Sequence, residues 1–239
     1  MALALASMVN AICAGPSATA AIQRSEYVRL NDTKLYLLIR GANRTSPVLL
    51  WLHGGPGGAE RPLFRYFNGK LEQHFTVAYW DQRGAGRSFD PKASPRDLTI
   101  ARHLADRDGI IDHLRSTLHR DKVILAGHSW GAALGLLYGH AHPNKVAAVV
   151  AVNPLISTRK QREAEFQFVC GEAARRGDRK AVRATEKIGA RPNWSTDQVL
   201  AMEKLDQKYG GVFHKNPVRA WIVLRAMFSG IIWPWEIPG

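Results

Sequence analysis

The pentapeptide Gly127-His128-Ser129-Trp130-Gly131 decides the fold of this chain, because it reads G-x-S-x-G between two apolar runs. Lys122 to Ala126 has the composition of a buried strand, and Ala132 to His142 is rich in Ala, Gly and Leu. A strand, a sharp turn and a helix in this order form the context of a nucleophile elbow. Glycines two residues on either side of Ser129 suit that turn, since a side chain there would collide with the neighbouring strand or helix. The pattern predicts a catalytic Ser129, and the alternative is a plain turn whose serine caps the helix.

A glycine-rich loop upstream predicts a binding site for a negatively charged oxygen. Val48 to Leu52 reads as a second buried strand and runs into His53-Gly54-Gly55-Pro56-Gly57-Gly58. Acyl transfer needs N–H donors aimed at the oxyanion that develops on the attacked carbonyl. The residue after the nucleophile, Trp130, supplies one donor, and we expect Gly54 or Gly55 to supply the other. The loop is not a nucleotide phosphate loop, because it lacks a Gly-Lys-Ser/Thr ending.

A third segment completes a family resemblance. Phe75 to Trp80 reads as a strand and is followed by Asp81-Gln82-Arg83-Gly84-Ala85-Gly86-Arg87-Ser88. Over about residues 25–155, the segments HGGPGG, WDQRGAGRS and GHSWGAALGLLYGHAHP resemble the α/β-hydrolase fold, and within it the prolyl aminopeptidase (proline iminopeptidase) family. The resemblance implies a serine hydrolase that releases N-terminal residues from short peptides. Its nucleophile would be Ser129, and its oxyanion hole the three residues named above.

The resemblance also implies an architecture. We expect a three-layer α/β/α core with a mostly parallel sheet of about six strands, together with a helical cap. In the loop after the third predicted strand, Asp81, Arg83 and Arg87 are expected to be structural, because a buried Arg–Asp pair can hold a loop near the site. The expected division of the chain is a leader or signal-like segment at 1–24, the hydrolase core at 25–153 and a helical cap region, with the core not completed, at 154–239.

The later part of the sequence departs from the family pattern. In this fold the triad follows the order Ser, Asp or Glu, His, and the last two residues each follow a late strand. From Asn153 onward the sequence predicts helices and no strand that is followed by a suitable Asp or His. A triad Asp and a triad His are therefore not found. The predicted helices are 155–176, 179–190, 196–209 and 216–228.

The positions of the histidines also fail to provide a triad His. Three of the nine follow the nucleophile, and two of these end the helix that starts at it, more than two turns away. The third, His214, is a candidate for the base, with Asp206 or Asp197 as its orienting acid, and a solvated loop histidine is the alternative. His53 and His128 lie near the site by motif position, and we expect both to be structural hydrogen-bonding groups.

Two interpretations of the missing triad members stay open. In the first, which we favour, the chain is C-terminally truncated, because a sheet that ends at its sixth strand, Lys145 to Val152, would expose an apolar edge. In the second, the chain is a divergent protein that binds a ligand without turnover. A serine without its base keeps only the residual catalysis of the oxyanion hole and of binding.

Substrate choice would depend on carboxylates of the cap. An aminopeptidase must recognise a free α-ammonium group, and the resemblance implies that cap glutamates do so. Glu236, in Trp233-Pro234-Trp235-Glu236, is our candidate, and a terminal surface glutamate is the alternative. A small-ester carboxylesterase is a further possibility, since the same serine and oxyanion hole serve esters. The other acidic candidates are Glu163, Glu165, Glu172 and Glu203.

Composition limits the classes of ligand and partner that we expect the chain to bind. The 239 residues carry a net charge of +13, but the excess is diffuse and no nucleic-acid motif accompanies it, so we expect no nucleic acid. Cys13 and Cys170 provide neither a disulfide framework nor a metal spacing, and we expect no metal and no other cofactor. Met1 to Gln23 is uncharged, and Ala18-Thr19-Ala20 resembles a cleavage site. We therefore favour export or a membrane tether at the N-terminus over a cytoplasmic location, and a poorly ordered alanine-rich leader is the alternative. The expected ligand is a small peptide or ester, and the oligomeric state stays open.

Overall fold

The computed structural model describes residues 20–55, 57–190 and 193–211, which divide into two compact units. The first unit runs to Pro154 and the second begins at Leu155. The first strand begins at Ile22, so the core starts three residues earlier than the boundary expected at residue 25. The signal-like segment lies largely outside the described residues, and no described helix is long and apolar enough to cross a membrane.

A single six-stranded sheet forms the centre of the first unit. The hairpin of β1 and β2 is antiparallel, and β2 pairs antiparallel with β4. The pairs β3–β4, β3–β5 and β5–β6 are parallel, so the loops after these four strands meet at one edge of the sheet. The expected six-stranded, mostly parallel sheet is thus confirmed. The strands are β1 (Ile22–Leu30), β2 (Thr33–Gly41), β3 (Val48–Leu52), β4 (Thr76–Asp81), β5 (Val123–His128) and β6 (Val146–Val152), in the spatial order β1-β2-β4-β3-β5-β6.

Helices cover both faces of this sheet because alternate strand residues point to opposite sides. On one face Leu50 and Leu125 pack with Ile110 of the second helix, and on the other Trp51 stacks on Phe64 of the first. This arrangement confirms the expected α/β/α layers. The helices of the first unit are α1 (Arg61–Asn68), α2 (Ile100–Leu118) and α3 (Trp130–Ala141), with short 3₁₀ turns at Gly69–Gln73, Gly86–Ser88 and Pro95–Asp97.

The described part of the second unit is helical, as the sequence predicts, and the helix predicted at 216–228 lies outside the described residues. Side chains of Ser157, Asp178 and Ser195 cap the first turns of its helices by accepting backbone N–H bonds, which explains where each helix begins. Val169 and Met202 are fully buried in a small apolar core of its own. Its described helices are α4 (Thr158–Arg175), α5 (Arg179–Ile188) and α6 (Thr196–Tyr209).

The strand β6 is the least covered part of the sheet. Its sequence is wholly apolar, yet Val150 and Val152 are 50% and 42% exposed. Among the described strands it pairs only with β5, so its other edge is open within that part of the chain. This is the apolar edge that the sequence predicts for a sheet ending at the sixth strand.

Candidate active site

The turn between β5 and α3 has the strained geometry expected of a nucleophile elbow. Ser129 has φ 51° and ψ −114°, a region that non-glycine residues rarely occupy. A Cβ on Gly131 would lie 2.2 Å from the carbonyl oxygen of Leu52, and one on Gly127 would lie 2.7 Å from the backbone nitrogen of Ala132. Only glycine fits at either position, so these residues impose the sharp turn. The helix begins immediately afterwards, at Trp130.

The glycine-rich loop after β3 lies against this elbow. A Cβ on Gly54 would stand 3.4 Å from the Cβ of Ser129, so the backbone of Gly54 passes directly beside the serine. Gly55 follows with φ +117°, which side-chain-bearing residues rarely adopt. The fold thus brings Ser129, Gly54 and the first residue of α3, Trp130, to the same edge of the sheet, as the sequence predicts. The loop can approach a substrate closely because its glycines carry no side chains.

The buried His53 holds the loop in place. Its Nε2 accepts a hydrogen bond of 2.9 Å from the backbone N–H of Gln82, and its Nδ1 lies 2.8 Å from the carbonyl oxygen of Gly54. Because Nε2 accepts, Nδ1 carries the proton and donates. The side-chain amide of Gln82 also donates to the His53 carbonyl oxygen, and burial lowers the pKa of His53. His53 is therefore a neutral structural group, in the role that the sequence predicts.

His128 makes a different contact, to a buried acid that the sequence analysis missed. Its Nδ1 lies 2.8 Å from Oε1 of Glu60, and since a carboxylate only accepts, Nδ1 carries the proton. The hydrogen bond to Glu60 raises the pKa of His128. The side chain of Glu60 is 7% exposed, whereas that of His128 is 39% exposed. The two residues are far apart in the sequence and share no motif, so no sequence signal pairs them.

The loop after β4 is held by two buried Arg–Asp pairs. Nε of Arg61 donates to Oδ1 of Asp81 at 3.1 Å, and the backbone N–H of Arg87 donates to the other carboxylate oxygen at 2.9 Å. Arg83 donates twice to Asp106, at 2.7 and 2.8 Å. The predicted structural role of this loop thus has a physical basis. The two partners, Arg61 and Asp106, lie on α1 and α2 and were not predicted.

Close in sequence to Asp106 lie two buried polar side chains, Arg107 and His103, whose nitrogens have no partner within the described residues. Arg107 is fully buried, and none of its three guanidinium nitrogens has a hydrogen-bond partner among the described residues. Burial lowers the pKa of Arg107 to about 9. One turn earlier on α2, both ring nitrogens of His103 also lack a partner in that part of the chain, and the indole ring of Trp130 packs edge-on against this imidazole at 6.0 Å. The polar interior near the elbow is therefore only partly satisfied by the described residues.

The remaining candidates lie in the second unit or outside the described residues. Burial, together with the nearby carboxylates of Asp206 and Glu203, raises the pKa of Glu165 to about 7. The structure thus groups three acids on α4 and α6. Glu163 forms an exposed pair with Arg159, Glu172 pairs with Arg175 and Arg176, Asp197 lies in the first turn of α6, and Glu236 and His214 lie outside the described residues.

Comparisons with known proteins agree with this geometry. Residues 47–206 match the family model described as alpha/beta hydrolase fold. A probable aminopeptidase, YbaC of Bacillus subtilis, is 31% identical over 84% of this chain and 63% of its own length. The proline iminopeptidase of Neisseria gonorrhoeae is 33% identical over 53% of this chain and 38% of its own length. The crystal structure of a proline iminopeptidase-related protein from Thermus thermophilus aligns with a TM-score of 0.63 at 22% identity, over 87% of this chain and 66% of that one. The chain thus spans less than two thirds of the length of these relatives.

Proposed function

This chain belongs to the α/β-hydrolase fold family, and from that premise we propose that it is a serine hydrolase that forms an acyl-enzyme on Ser129. The observation that carries the proposal is the backbone of Ser129, with φ 51° between two glycines that no other residue can replace. A serine held in this way has its hydroxyl turned out from the end of the sheet. Strain of this kind persists only where the surrounding structure enforces it, and it is frequent at catalytic sites.

The mechanism is nucleophilic acyl transfer. Oγ of Ser129 attacks the carbonyl carbon of an amide or ester, and the carbonyl oxygen becomes an oxyanion. The backbone N–H groups of Trp130 and of Gly54 or Gly55 donate to this oxygen. Collapse of the intermediate breaks the bond to the leaving group, which departs with the proton that the serine hydroxyl has lost. Water then attacks the acyl-enzyme, releasing an acid and restoring the hydroxyl.

We further propose a prolyl aminopeptidase-like preference for the N-terminal residue of short peptides. The names of the two relatives above, an aminopeptidase and a proline iminopeptidase, support this class. Such a preference requires a carboxylate that recognises the free α-ammonium group of the substrate. Glu236 remains a candidate for the same role.

A second candidate function is binding without efficient turnover. Within the described residues, the hydroxyl of Ser129 makes no hydrogen bond to a histidine. Two described histidines follow it in the sequence: His140 lies in the last turn of α3, and His142 is the C-cap of that helix. A serine without a base retains only the part of catalysis that comes from the oxyanion hole and from binding. The two functions differ in rate rather than in the identity of the site.

Turnover of matched substrates tests the proposal. The purified chain, with Ser129→Ala and the exposed Ser116→Ala as its control, is assayed with proline p-nitroanilide and with p-nitrophenyl acetate. We expect cleavage of both substrates, lost in Ser129→Ala and kept in Ser116→Ala. Cleavage of the ester alone would remove the aminopeptidase assignment and favour a carboxylesterase. Equal activity in Ser129→Ala and the unmodified chain would refute the serine mechanism.

A further inference from the structure

The Glu60–His128 pair lies against the glycine-rich loop after β3, at Gly54. A Cβ on Gly54 would lie 2.7 Å from Oε1 of Glu60, 3.1 Å from Nδ1 of His128 and 3.4 Å from the Cβ of Ser129. The missing side chain of Gly54 therefore leaves the space in which the acid, the imidazole and the serine come together. Gly54 is also one of the proposed oxyanion donors, so a nearly buried carboxylate lies next to the place where negative charge develops.

We propose that the Glu60–His128 pair sets the electrostatics of the oxyanion site, so that rapid acylation of Ser129 requires the doubly protonated, cationic form of His128. This inference rests on the proposed acyl transfer, and it adds that the charge of His128 governs the rate of that reaction. Both residues are positioning residues, because they act through Gly54 rather than on the substrate.

Charge and burial explain why the cationic form of His128 is needed. An unneutralised carboxylate close to the oxyanion opposes the growth of negative charge, and the opposition is strong where water screens poorly. Glu60 is poorly screened, since 7% of its side chain is exposed. A protonated His128, at 2.8 Å from Oε1, cancels the charge of Glu60. Once His128 loses its charge, the Nδ1–H bond remains but the negative charge of Glu60 is no longer balanced.

The other ionisable groups around the pair have partners of their own. Arg61, the residue after Glu60, is paired with Asp81 at 3.1 Å. His53, which Glu60 also influences, is buried and neutral, and both of its ring nitrogens are hydrogen-bonded. Among the described groups, Glu60 is the charged residue that acts on the pKa of His128, and their hydrogen bond raises it. The second proton of His128 is therefore lost above the ordinary histidine range, where the predicted fall in rate should appear.

Glu60→Gln separates electrostatics from packing. The amide oxygen of Gln can still accept from Nδ1–H, but the buried charge is removed. Glu26→Gln is the matched control, because Glu26 and His113 form a second Glu–His pair, with an Oε1–Nε2 distance of 2.9 Å, on β1 and α2. The burst rate of acylation by p-nitrophenyl acetate is measured for each variant between about pH 6 and 10, a range that spans the histidine titration.

We expect the ratio of the unmodified rate to the Glu60→Gln rate to fall roughly tenfold as His128 loses its charge, an effect of the size of a weakened oxyanion donor. The ratio to Glu26→Gln should stay constant with pH. A ratio to Glu60→Gln that does not change with pH would overturn the inference, because a purely structural pair would lower the rate equally at all pH values. A burst with such a flat ratio removes only this inference, whereas the absence of any burst in the unmodified chain removes the proposed function as well.

A second measurement needs no variant and covers the case in which Glu60→Gln does not fold. The pKa of His128 is followed by NMR in the free chain and in its adduct with a boronic acid, which places a tetrahedral anion on the serine. If the charges are coupled, the pKa of His128 should rise by about one unit in the adduct, equivalent to a tenfold change. An unchanged pKa in a formed adduct would refute the coupling.

Discussion

The two units of the chain differ in how deeply their ion pairs are buried. In the first unit Arg61–Asp81 and Arg83–Asp106 join residues that are about twenty positions apart, and each of these side chains is at most 6% exposed. In the second unit the Arg159–Glu163 pair joins neighbouring turns of α4, and both side chains are more than half exposed. Buried pairs fix the positions of loops, whereas exposed pairs on one helix contribute little to the stability of the fold. The difference indicates that the first unit uses its buried charges to hold the loops at the candidate site.

The largest change in unfolding free energy should come from breaking the buried Arg83–Asp106 pair, which has two short hydrogen bonds. Asp106→Asn removes the buried partner of Arg83 and leaves the half-exposed Asp32, at 3.1 Å, as its remaining carboxylate. We expect a loss of about 3 kcal/mol of unfolding free energy, at the low end of the range for a broken buried pair. Urea denaturation measures the cost, and the exposed Asp112→Asn on the same helix is the control. A loss below about 1 kcal/mol would mean that the buried pair is no more important than a surface pair.

Removing the buried charge of Arg107 should raise the unfolding free energy instead of lowering it. Arg107→Met replaces a fully buried guanidinium, unpaired among the described residues, by an apolar side chain, and we expect a gain of about 1–4 kcal/mol. Because burial lowers the folded-state pKa of Arg107 to about 9, its penalty is complete below pH 9 and is relieved as the pH rises above it. The unmodified chain should therefore gain stability relative to Arg107→Met above pH 9. Destabilisation by Arg107→Met, with the partly exposed Arg102→Met as control, would show that Arg107 has a partner.

The acidic group of the second unit should give a smaller effect. The pKa of Glu165 is raised to about 7, so the folded state holds its proton more tightly than the unfolded chain. Stability from this group falls as the pH rises from the ordinary glutamate range to about 7, and the penalty is constant above that. Glu165→Gln should stabilise the chain more at about pH 8 than at about pH 5, by less than about 1 kcal/mol because solvent screens the group. Thermal unfolding at the two pH values measures this, and equal shifts in Tm would contradict the raised pKa.

The exposed helical pair should give the smallest effect. Glu163→Gln removes the partner of Arg159, whose nitrogen lies 3.7 Å from the carboxylate. We expect a loss below about 0.5 kcal/mol, and none that can be measured at high salt. Thermal unfolding at two salt concentrations checks this. A loss comparable with that of Asp106→Asn would erase the contrast between the two units.

The sequence predicted those features that depend on near neighbours along the chain. The elbow around Ser129 and the loop at Gly54 carry their geometry in closely spaced glycines, and the strands before them are continuous apolar runs. The sequence did not predict the pairing of His128 with Glu60, which depends on the tertiary arrangement of β5 and the start of α1. The burial of Arg107 was missed for the same reason, since α2 is rich in charged residues and only packing decides which of them face the core.

Peptide mapping after reaction with a fluorophosphonate tests the central claim most directly, because this reagent bonds to activated serine hydroxyl groups. The account predicts one modified residue, Ser129, with no adduct on the Ser129→Ala chain or on chain unfolded before labelling. Labelling of other serines at the same rate as Ser129, or none at Ser129 in a folded chain, would contradict the claim that the elbow presents a reactive hydroxyl.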